Sequence, residues 1–280
     1  MKTRGRYSAA FQGEKGAFSH SAALKLLGEA VEPVACASFK NVFEALRDDR
    51  VTHAVIPIEN TLHGSVLENY DHLMEFGFPI RGETRVRISH HLIAMAETHY
   101  KQIRQAFSHS VALNQCRRFF ERNPRIEPTP FYDTAGSVKM LAEQHPAGAA
   151  AVASEEAAAI YGGKILKRNL EDNRQNYTRF FLLTKQKKSL GNATGAWKTS
   201  VAFRASNQPG ALFKVMACFA LRDLNLTKIE SRPLPGKPWE YLFYVDFIGS
   251  SEDELVQRAL QNLAETTQFF RVLGSYRPTP

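Results

Sequence analysis

The sequence predicts an α/β domain followed by a smaller ferredoxin-like domain. Strand and helix patterns alternate over residues 6–184, as in domains with a largely parallel sheet. Residues 198–276 follow the order strand, helix, strand, strand, helix, strand, which is the βαββαβ unit. The segment 185–197 between them is polar and contains glycine, as expected of a linker. We therefore expect domains at 1–184 and 198–280 in this chain of 280 residues.

The composition is that of a soluble globular protein, with 44% hydrophobic and 23% charged residues. No apolar run is long enough to span a membrane, and no apolar segment follows the basic N-terminus, so we expect no secretory signal. The three cysteines lie far apart in sequence, which favours reduced thiols in a cytoplasmic protein. The histidines have no metal-binding spacing, so we expect no metal site.

The net charge of +8 is compatible with either a nucleic acid or an acidic small molecule as the partner. Lysine and arginine are spread along the chain, and no nucleic-acid-binding motif occurs in it. We therefore expect an acidic small-molecule ligand, and neither nucleic acid nor a membrane as a partner.

The first elements predict an anion site. Residues 6–12 have a strand pattern, residues 13–16 are a Gly-rich turn, and Ser19 is expected to cap the helix that follows. A helix N-terminus after such a turn presents unpaired N–H groups, which favour a negatively charged ligand. Ser38 is expected to cap a second helix, whose apolar residues recur at i, i+3, i+4 and i+7.

A buried strand is predicted at residues 51–58, and it ends at Glu59-Asn60-Thr61. Ligands bind at the carboxyl ends of strands in open α/β sheets, so Asn60 is a candidate binding residue. A role for Asn60 as a turn or helix cap is equally compatible with the sequence. A helix is predicted at 67–76.

The alternation continues from residue 85. Strands are predicted at 85–95, 103–107, 149–153 and 180–183, and helices at 111–121, 135–144 and 155–161. Asp133 and Ser154 are expected to cap the second and third of these helices. Ser108 precedes the helix predicted at 111–121, and Gln115 lies nearly two helical turns after Ser108. The two side chains can therefore face the same region only if Ser108 lies at the edge of that helix.

Thr178 and Arg179 lie where the polar segment 168–175 becomes the apolar strand 180–183. Binding side chains concentrate at loop ends held by a rigid scaffold, which makes both residues candidates. The alternative is an edge strand with a solvated threonine and an ion-paired surface arginine. We expect this strand to return to the first sheet, which leaves a second lobe at 85–175 and places Thr178 at a cleft between two lobes.

The second domain opens with a strand at 199–205. Asn207-Gln208-Pro209-Gly210-Ala211-Leu212 then indicates a turn that begins a helix ending at Leu221, with Leu212 facing inward. Strands at 226–232, 241–248 and 269–276 and a helix at 252–264 complete the unit. Such a unit leaves one sheet face without helices and has free edges, so we expect it to pair with a copy of itself.

Several motifs in order resemble one family. The matching segments are 11–19, 56–61, Ser108-His109 followed by Gln115-Cys116, and 177–180. With these, nearly the whole chain resembles the monofunctional bacterial prephenate dehydratases. The resemblance departs at Ser110-Val111, where the family has Pro-Gln. The second domain resembles an ACT domain, in which 210–212 and 230–233 match two phenylalanine-binding motifs.

The resemblance implies a catalytic domain like a type II periplasmic binding protein, with lobe one at about 6–84 and 176–184 and lobe two at about 85–175. It implies conversion of prephenate to phenylpyruvate, CO2 and water, with no metal and no organic cofactor. The implied catalytic residues are Thr178, Asn60, Ser108, Gln115 and Arg179. The implied substrate-binding residues are Gly16, Ala17, Phe18, Ser19, Glu59 and Thr61. Because a threonine hydroxyl is a weak acid, we expect Thr178 to be a positioned donor or one link in a relay.

The ACT resemblance implies feedback inhibition by L-phenylalanine. The residues expected to bind it are Asn207, Gln208, Pro209, Gly210, Ala211, Leu212, Phe213, Glu230, Ser231, Arg232 and Pro233. Glu230 is expected to meet the ammonium group across a subunit pair, in a homodimer or homotetramer.

Two other functions remain open on the sequence. Arogenate carries an amine where prephenate has a keto group, and the sequence does not separate the two substrates. A two-lobed fold can also serve a non-catalytic small-molecule sensor, since fold does not fix function.

Overall fold

The computed structural model describes residues 7–185, 196–234, 236–237 and 239–279. These residues form two compact units. Unit 1 is Met1–Asn69 with Arg85–Phe180, and unit 2 is Tyr70–Thr84 with Phe181–Pro280. Most of the predicted linker, residues 186–195, lies outside the described residues.

The elements up to Leu183 alternate as predicted. They are β1 (Ser8–Gln12), α1 (Phe18–Leu27), β2 (Glu32–Cys36), α2 (Phe39–Arg47), β3 (His53–Asn60), β4 (Gly64–Ser65), α3 (Leu67–Phe76), β5 (Ile80–Arg87), β6 (His91–Ala94), a 3₁₀ turn (Tyr100–Gln102), β7 (Gln105–Ser108), α4 (Ser110–Asn114), α5 (Arg117–Arg122), β8 (Glu127–Pro130), α6 (Thr134–Gln144), β9 (Ala149–Ala153), α7 (Glu155–Tyr161), β10 (Lys164–Lys167) and β11 (Tyr177–Leu183). The chain passes between the two units inside α3, β5 and β11.

Unit 1 contains two sheets. In the first, the strand order within the unit is β5-β11-β3-β1-β2, and β1 pairs in parallel with both β2 and β3. The second has the order β10-β6-β9-β7-β8. The chain crosses from the first sheet to the second after β5 and returns before β11, which confirms the expected two-lobed arrangement.

The alanine-rich strand β9 is the centre of the second sheet. Ala149, Ala151 and Ala153 pack into one hydrophobic cluster, while Ala150 and Val152 pack into another. Alternate residues of a strand face opposite sides, so β9 is buried on both faces and its small side chains let helices approach closely.

Three predicted helix caps in unit 1 are confirmed. Oxygens of Ser38, Asp133 and Ser154 accept hydrogen bonds from the first-turn amides of α2, α6 and α7. The predicted cap at Ser19 is wrong, because the helix already begins at Phe18 with Ala17 as its N-cap. Ser19 is therefore buried in the first helical turn.

The single helix predicted at 111–121 is also wrong, since the chain forms α4 and α5 with a break at Gln115-Cys116. The carbonyl of Gln115 accepts a hydrogen bond from the amide of Asp172 at 2.7 Å. A distant loop thus takes the acceptor that a continuous helix requires. The strands β2, β8 and β10 were not predicted; β8 contains two prolines and β2 one, which disfavour a strand assignment.

Unit 2 has the predicted βαββαβ order. Its elements from residue 198 are β12 (Lys198–Arg204), α8 (Ala211–Ala220), β13 (Leu226–Pro233), β14 (Tyr241–Ile248), α9 (Glu254–Thr266), β15 (Phe269–Tyr276) and β16 (Pro278–Thr279). The sheet order is β13-β14-β12-β15, with antiparallel pairs. Helices α8 and α9 pack on one face through Val215, Phe219 and Val256. Leu212, predicted to face inward, is 38% exposed.

The other face of this sheet was expected to be free of helices, and that expectation is wrong. The part of α3 that belongs to unit 2 packs there, with the rings of Tyr70 and Tyr244 4.5 Å apart. Lys198 and Glu83 form a buried ion pair at 2.7 Å on the same side. Residues 70–84 therefore cover part of the surface that the sequence assigned to a second copy, whereas β13 and β15 remain the sheet edges.

In the part of the chain that the structure describes, no helix combines the length and the apolar character needed to cross a membrane.

Candidate active site

A cavity of about 540 Å³ lies between the two sheets of unit 1. It is lined by Gln12, Ala17, Phe18, Ser19, Ser38, Phe39, Pro57, Asn60, His63, Val66, Glu68, Ile88, His90, His109, Val111, Ala112, Gln115, Tyr132, Asp133, Thr134, Thr178 and Phe180. None of these lining residues is a lysine or an arginine. Any anion that binds here is therefore held by amides, hydroxyls or imidazoles.

Helices α1, α2 and α6 begin at this cavity. The first turns of α2 and α6 are capped by the side chains of Ser38 and Asp133, but Ala17 at the start of α1 provides no side-chain cap. The amide of His20 donates to the carbonyl of Ala17 at 2.9 Å, so the first-turn N–H groups available to a ligand are those of Phe18 and Ser19. The anion site expected from the Gly-rich turn stays a prediction.

Gly16 is required by the tight fit of that turn. Its φ is +89°, and a Cβ there would lie 2.6 Å from the Cα of Ala157. The hydroxyl of Ser154 donates to the carbonyl of Gly16 at 2.6 Å, so the second lobe holds the turn in place. Ala17, Phe18 and Ser19, which were predicted to bind the substrate, line the cavity, whereas Gly16 supports them from behind.

Asn60 and Thr178 meet where β3 and β11 run side by side. The Nδ2 atom of Asn60 lies 3.0 Å from the Thr178 hydroxyl oxygen, and it also contacts the carbonyl of Tyr177 and the Oδ1 of Asn176. Since the amide donates to Thr178, the hydroxyl keeps its own hydrogen for a ligand. Thr178 is 9% exposed, so this donor is buried at the cavity wall.

Gln115 joins the two lobes. Its Oε1 lies 2.8 Å from Nε2 of His90, and its Nε2 lies 3.2 Å from Nδ1 of His63. His63 Nδ1 is also 3.2 Å from Oδ1 of Asn60. Nδ1 of His63 can donate to Asn60 or accept from Gln115, but it cannot do both at once. Polar contacts therefore extend from Thr178 to His90 along the cavity, with one of the two hydrogen bonds at His63 formed at a time.

Neither His63 nor His90 was among the site residues predicted from the sequence. His63 follows the Glu59-Asn60-Thr61 motif by two residues, and that proximity was the one available signal. His90 lies outside the motifs that carry the family resemblance. Its place beside Gln115 depends on contacts between residues 25 positions apart.

Besides Gly16, four predicted residues do not line the cavity: Ser108, Arg179, Glu59 and Thr61. The hydroxyl of Ser108 donates to the carbonyl of Val152 at 2.5 Å and is fully buried. Arg179 lies 3.8 Å from the carboxylate of Glu59, an ion pair that braces β11 against β3. Thr61 bonds the backbone of Gln175 and Tyr177. These contacts hold the cavity wall together.

Burial changes the acidity of several groups at the cavity. It lowers the pKa of His90, although the hydrogen bond that His90 donates to Gln115 and the charge of Glu171 oppose that shift. It raises the pKa of Asp133, with the amide of Gly136 opposing. Burial and the neighbouring Glu14 carboxylate raise the pKa of Tyr132 to about 12. The described residues contain no group of three or more His, Cys, Asp or Glu side chains placed to hold a metal ion.

A second cavity, of about 410 Å³, lies in unit 2. It is lined by Ala205, Ser206, Asn207, Gln208, Ala211, Leu212, Trp239, Glu240, Tyr241, Phe243 and Gln268. The predicted residues Asn207, Gln208, Ala211 and Leu212 are thus brought together. Gly210, with φ +77°, is the N-cap of α8 and gives no side-chain cap. The amide of Ala211 donates to the carbonyl of Gln208 at 3.1 Å, so the open amides of the first turn are those of Leu212 and Phe213.

The other predicted phenylalanine-binding residues lie elsewhere. Pro209, Gly210 and Phe213 do not line this cavity, and Phe213 is 76% exposed. Glu230, Ser231, Arg232 and Pro233 lie on β13, where Glu230 pairs with Lys228 and Arg232 forms a fork with Asp71 at 2.5 and 3.0 Å. Their predicted role requires a second subunit.

The fold and the cavity define a two-lobed α/β enzyme domain combined with a ferredoxin-like domain. Residues 9–188 match the family model for prephenate dehydratase, and residues 199–265 match that for the ACT domain. The chain belongs to the prephenate dehydratase family, is an enzyme of that family and carries an ACT domain.

Similar proteins agree with this assignment. The chain is 42% identical to arogenate dehydratase/prephenate dehydratase 2 of Arabidopsis thaliana, over 97% of this chain and 73% of the relative. A prephenate dehydratase from Arthrobacter aurescens, solved in complex with L-Phe, is 30% identical with a TM-score of 0.84, covering 96% of this chain and 90% of that one. A protein described as GqqA, a novel type of quorum quenching acylase, is 32% identical with a TM-score of 0.88 and 98% coverage of both chains.

Proposed function

We propose that the chain converts prephenate to phenylpyruvate, CO2 and water, and that L-phenylalanine inhibits this reaction through the ACT domain. The observation that carries the first part is the Asn60–Thr178 pair, which presents one oriented hydroxyl to a cavity without lysine or arginine. Family membership supports the same reaction.

The reaction has a simple electron balance. The bond between the ring and its carboxylate breaks, and its electron pair enters the ring as CO2 leaves. The bond from C4 to its hydroxyl breaks at the other side of the ring, and that pair leaves with oxygen. The ring becomes aromatic, and the departing hydroxide needs one proton to become water. The protein must therefore stabilise charge at the departing oxygen.

Thr178 suits that task. Its oxygen accepts from Asn60, so its hydrogen is directed away from the amide and toward the cavity. A donor aimed at an oxygen that gains charge in the transition state lowers the barrier without binding the substrate more tightly.

The open N-terminus of α1 suits a substrate carboxylate. Amide donors and the helix dipole bind an anion without a full positive charge. The carboxylate that is lost gives up its negative charge in the transition state. An arginine on it would stabilise the ground state more than the transition state, so the absence of cations from the described lining favours decarboxylation.

Arogenate is the alternative substrate of the same site. Glu68 and Asp133 line the cavity and offer carboxylates to an ammonium group, so the lining does not discriminate against the amine. The experiment that separates the two supplies each substrate to the purified chain and measures CO2 with the organic product. Phenylpyruvate from prephenate at the higher kcat/KM supports the proposal. If kcat/KM is higher for arogenate than for prephenate, and phenylalanine is the product, the chain is an arogenate dehydratase.

The same assay tests two functions of other classes. A chain that binds prephenate without releasing CO2 is a sensor. Acylase activity, suggested by the likeness to GqqA, needs an activated nucleophile. Among the described lining residues, no serine or threonine is hydrogen-bonded to a histidine, so we do not propose acyl transfer.

Phenylalanine fits the second cavity. The open first turn of α8 can take the carboxylate, and Trp239, Tyr241 and Phe243 supply aromatic surface for the ring. The similar Arthrobacter aurescens enzyme was solved with L-Phe, which supports this ligand class. Inhibition requires that L-phenylalanine favour one conformation over another. A steady-state assay with and without L-phenylalanine tests it, and unchanged turnover at saturation contradicts it.

The remaining assignments are also proposals. Domain boundaries at 1–184 and 198–280 are supported by the two matched ranges. Assembly into a homodimer or homotetramer is supported by the open sheet edges at β13 and β15. A cytoplasmic location is supported by the free thiols of Cys36, Cys116 and Cys218.

A further inference from the structure

One atom of the cavity wall has an unsatisfied hydrogen-bonding capacity. Nδ1 of His90 is buried and has no partner among the described residues, although the side chain is only 1% exposed and lines the cavity. A buried polar atom without a partner costs free energy, so it is kept where a ligand can satisfy it.

The other ring nitrogen fixes where the protons lie. His90 Nε2 is 2.8 Å from Oε1 of Gln115, a carbonyl oxygen that only accepts. Nε2 therefore carries its hydrogen in both the neutral and the charged imidazole. Nδ1 is the nitrogen that gains and loses a proton, and it is the one without a partner.

The ring is held rigidly in this orientation. The amide of His90 donates to Oε2 of Glu171 at 2.9 Å, and Glu171 is paired with Arg87 at 3.0 Å. The ring of Phe18 meets the imidazole edge to face at 5.6 Å. The charged or titratable groups around His90 are thus Glu171, Arg87 and His91, the residue that follows His90. Of these, Glu171 favours the imidazolium form of His90.

The proposed dehydration consumes one proton for each hydroxide that leaves, and Thr178 is too weak an acid to supply it from its own hydroxyl. We propose that Nδ1–H of His90 is the proton donor to the departing C4 hydroxyl, which makes His90 a catalytic residue of the proposed dehydration, on which this role rests. Thr178 orients the leaving oxygen and His90 gives it the proton.

The proton balance closes over one turnover. In the empty cavity, burial lowers the pKa of His90 and Nδ1 is bare. A substrate with two carboxylates raises the proton affinity of the nearby imidazole, so one proton is taken up with the substrate. It passes from Nδ1 to the hydroxyl oxygen as the C4–O bond breaks, and water, CO2 and neutral His90 result.

The decisive experiment compares the kcat–pH profile of the wild-type enzyme with those of His90→Gln and His91→Gln. His91 is the matched control because it is also buried, but its Nδ1 accepts from the amide of Asn169 at 3.2 Å and it does not line the cavity. Removing a general acid costs about 10²–10⁴ in kcat. We expect that loss in His90→Gln only, together with loss of the decline in kcat at alkaline pH.

A second variant covers the case in which His90→Gln does not fold. Gln115→Glu places a carboxylate on Nε2–H, which stabilises the imidazolium, so the alkaline decline in kcat should move to higher pH. If that decline stays in place, or if His90→Gln folds and keeps kcat within about threefold, His90 is not the donor.

Failure of the proposed function looks different. If the wild-type enzyme releases no CO2 from either prephenate or arogenate, the reaction itself is wrong. If the wild type releases CO2 but the kcat–pH profile is the same in His90→Gln and Gln115→Glu as in the wild type, only the role of His90 is wrong.

Discussion

The two cavities are built in different ways. Four of the predicted residues that line the unit 2 cavity come from one turn, residues 207–212, and the open amides beside it belong to the helix that this turn begins. The unit 1 cavity draws on residues from Gln12 to Phe180, carried by two sheets. A short motif can specify the first kind of site by itself. The second kind exists only after distant strands have been placed side by side.

The difference extends to chemistry. The unit 1 cavity contains polar side chains in contact from Thr178 to His90, among which Asn60 donates to Thr178 and Gln115 accepts from His90. The unit 2 cavity offers backbone amides and aromatic surface. We therefore expect single side-chain deletions to act strongly on turnover in unit 1, whereas backbone changes should decide ligand binding in unit 2.

The largest effect is expected at Thr178. Thr178→Val keeps the shape and removes the hydroxyl, so kcat should fall by about 10²–10³ because one transition-state donor is lost. Thr178→Ser keeps the donor and should retain most activity. Steady-state kinetics with a thermal melt of each variant measure this. Near-normal kcat in a folded Thr178→Val would assign the critical hydroxyl elsewhere.

Acid should lower the stability of unit 1 more than that of unit 2. Burial lowers the pKa of His53 from its ordinary value of 6.5 to about 4. Between these two values the unfolded chain binds more protons than the folded chain. The contribution of His53 to the free energy of unfolding is therefore fully present above pH 6.5 and is lost as the pH falls toward 4. The loss from this group is up to about 3 kcal/mol.

Denaturant unfolding at several pH values checks this expectation. His53→Phe should reduce the acid-dependent part of the loss, since its ring replaces the imidazole beside Tyr7 without titrating. An unfolding free energy that is as sensitive to acid in the variant as in the wild type would exclude His53 as the cause.

The phenylalanine response should depend on one backbone position in unit 2. With L-phenylalanine at about 100 times its Kd, the native chain should gain about 2.7 kcal/mol of stability. Gly210→Ala should remove most of that gain, because φ +77° is strained for alanine and the first turn of α8 would shift. Gly162→Ala is the control, with φ +69° and equally open space in unit 1. An undiminished gain in Gly210→Ala would move the ligand away from this turn.

The smallest effect is expected at Asn60, and it tests the hydrogen bond from Asn60 to Thr178. Asn60→Asp keeps the Oδ1 acceptor for the amides of Leu62 and His63 but loses the donor to Thr178. We expect roughly a tenfold fall in kcat from one lost hydrogen bond. Asn60→Ala should show the same fall in kcat and, in addition, about 1 kcal/mol of lost stability, since the turn loses its cap. If Asn60→Ala changes only stability, Asn60 is a structural cap.

Regular elements were predicted best where one local pattern decides them. The bounds of α3, β9, β14 and β15 agree with the predictions, because each has an uninterrupted apolar pattern flanked by turn residues. The helix predicted at 111–121 failed because the loop at Asp172 takes a carbonyl from its middle. Ser19 failed as a cap because the helix begins at Phe18, with Ala17 as its N-cap, which is two residues earlier than a cap at Ser19 requires.

Of the unit 1 cavity, the sequence by itself determined three stretches that contribute lining residues: the segment that begins α1, the end of β3 and the start of β11. It also determined the βαββαβ order of unit 2, since each element there has its own period. Only the tertiary structure decided that Ser108 and Arg179 support the wall, that His63 and His90 join it, and that residues 70–84 cover the ACT sheet face. The physical reason is that hydrogen-bond partners and buried faces are chosen between residues far apart in sequence, whereas periodicity and capping act over a few neighbours.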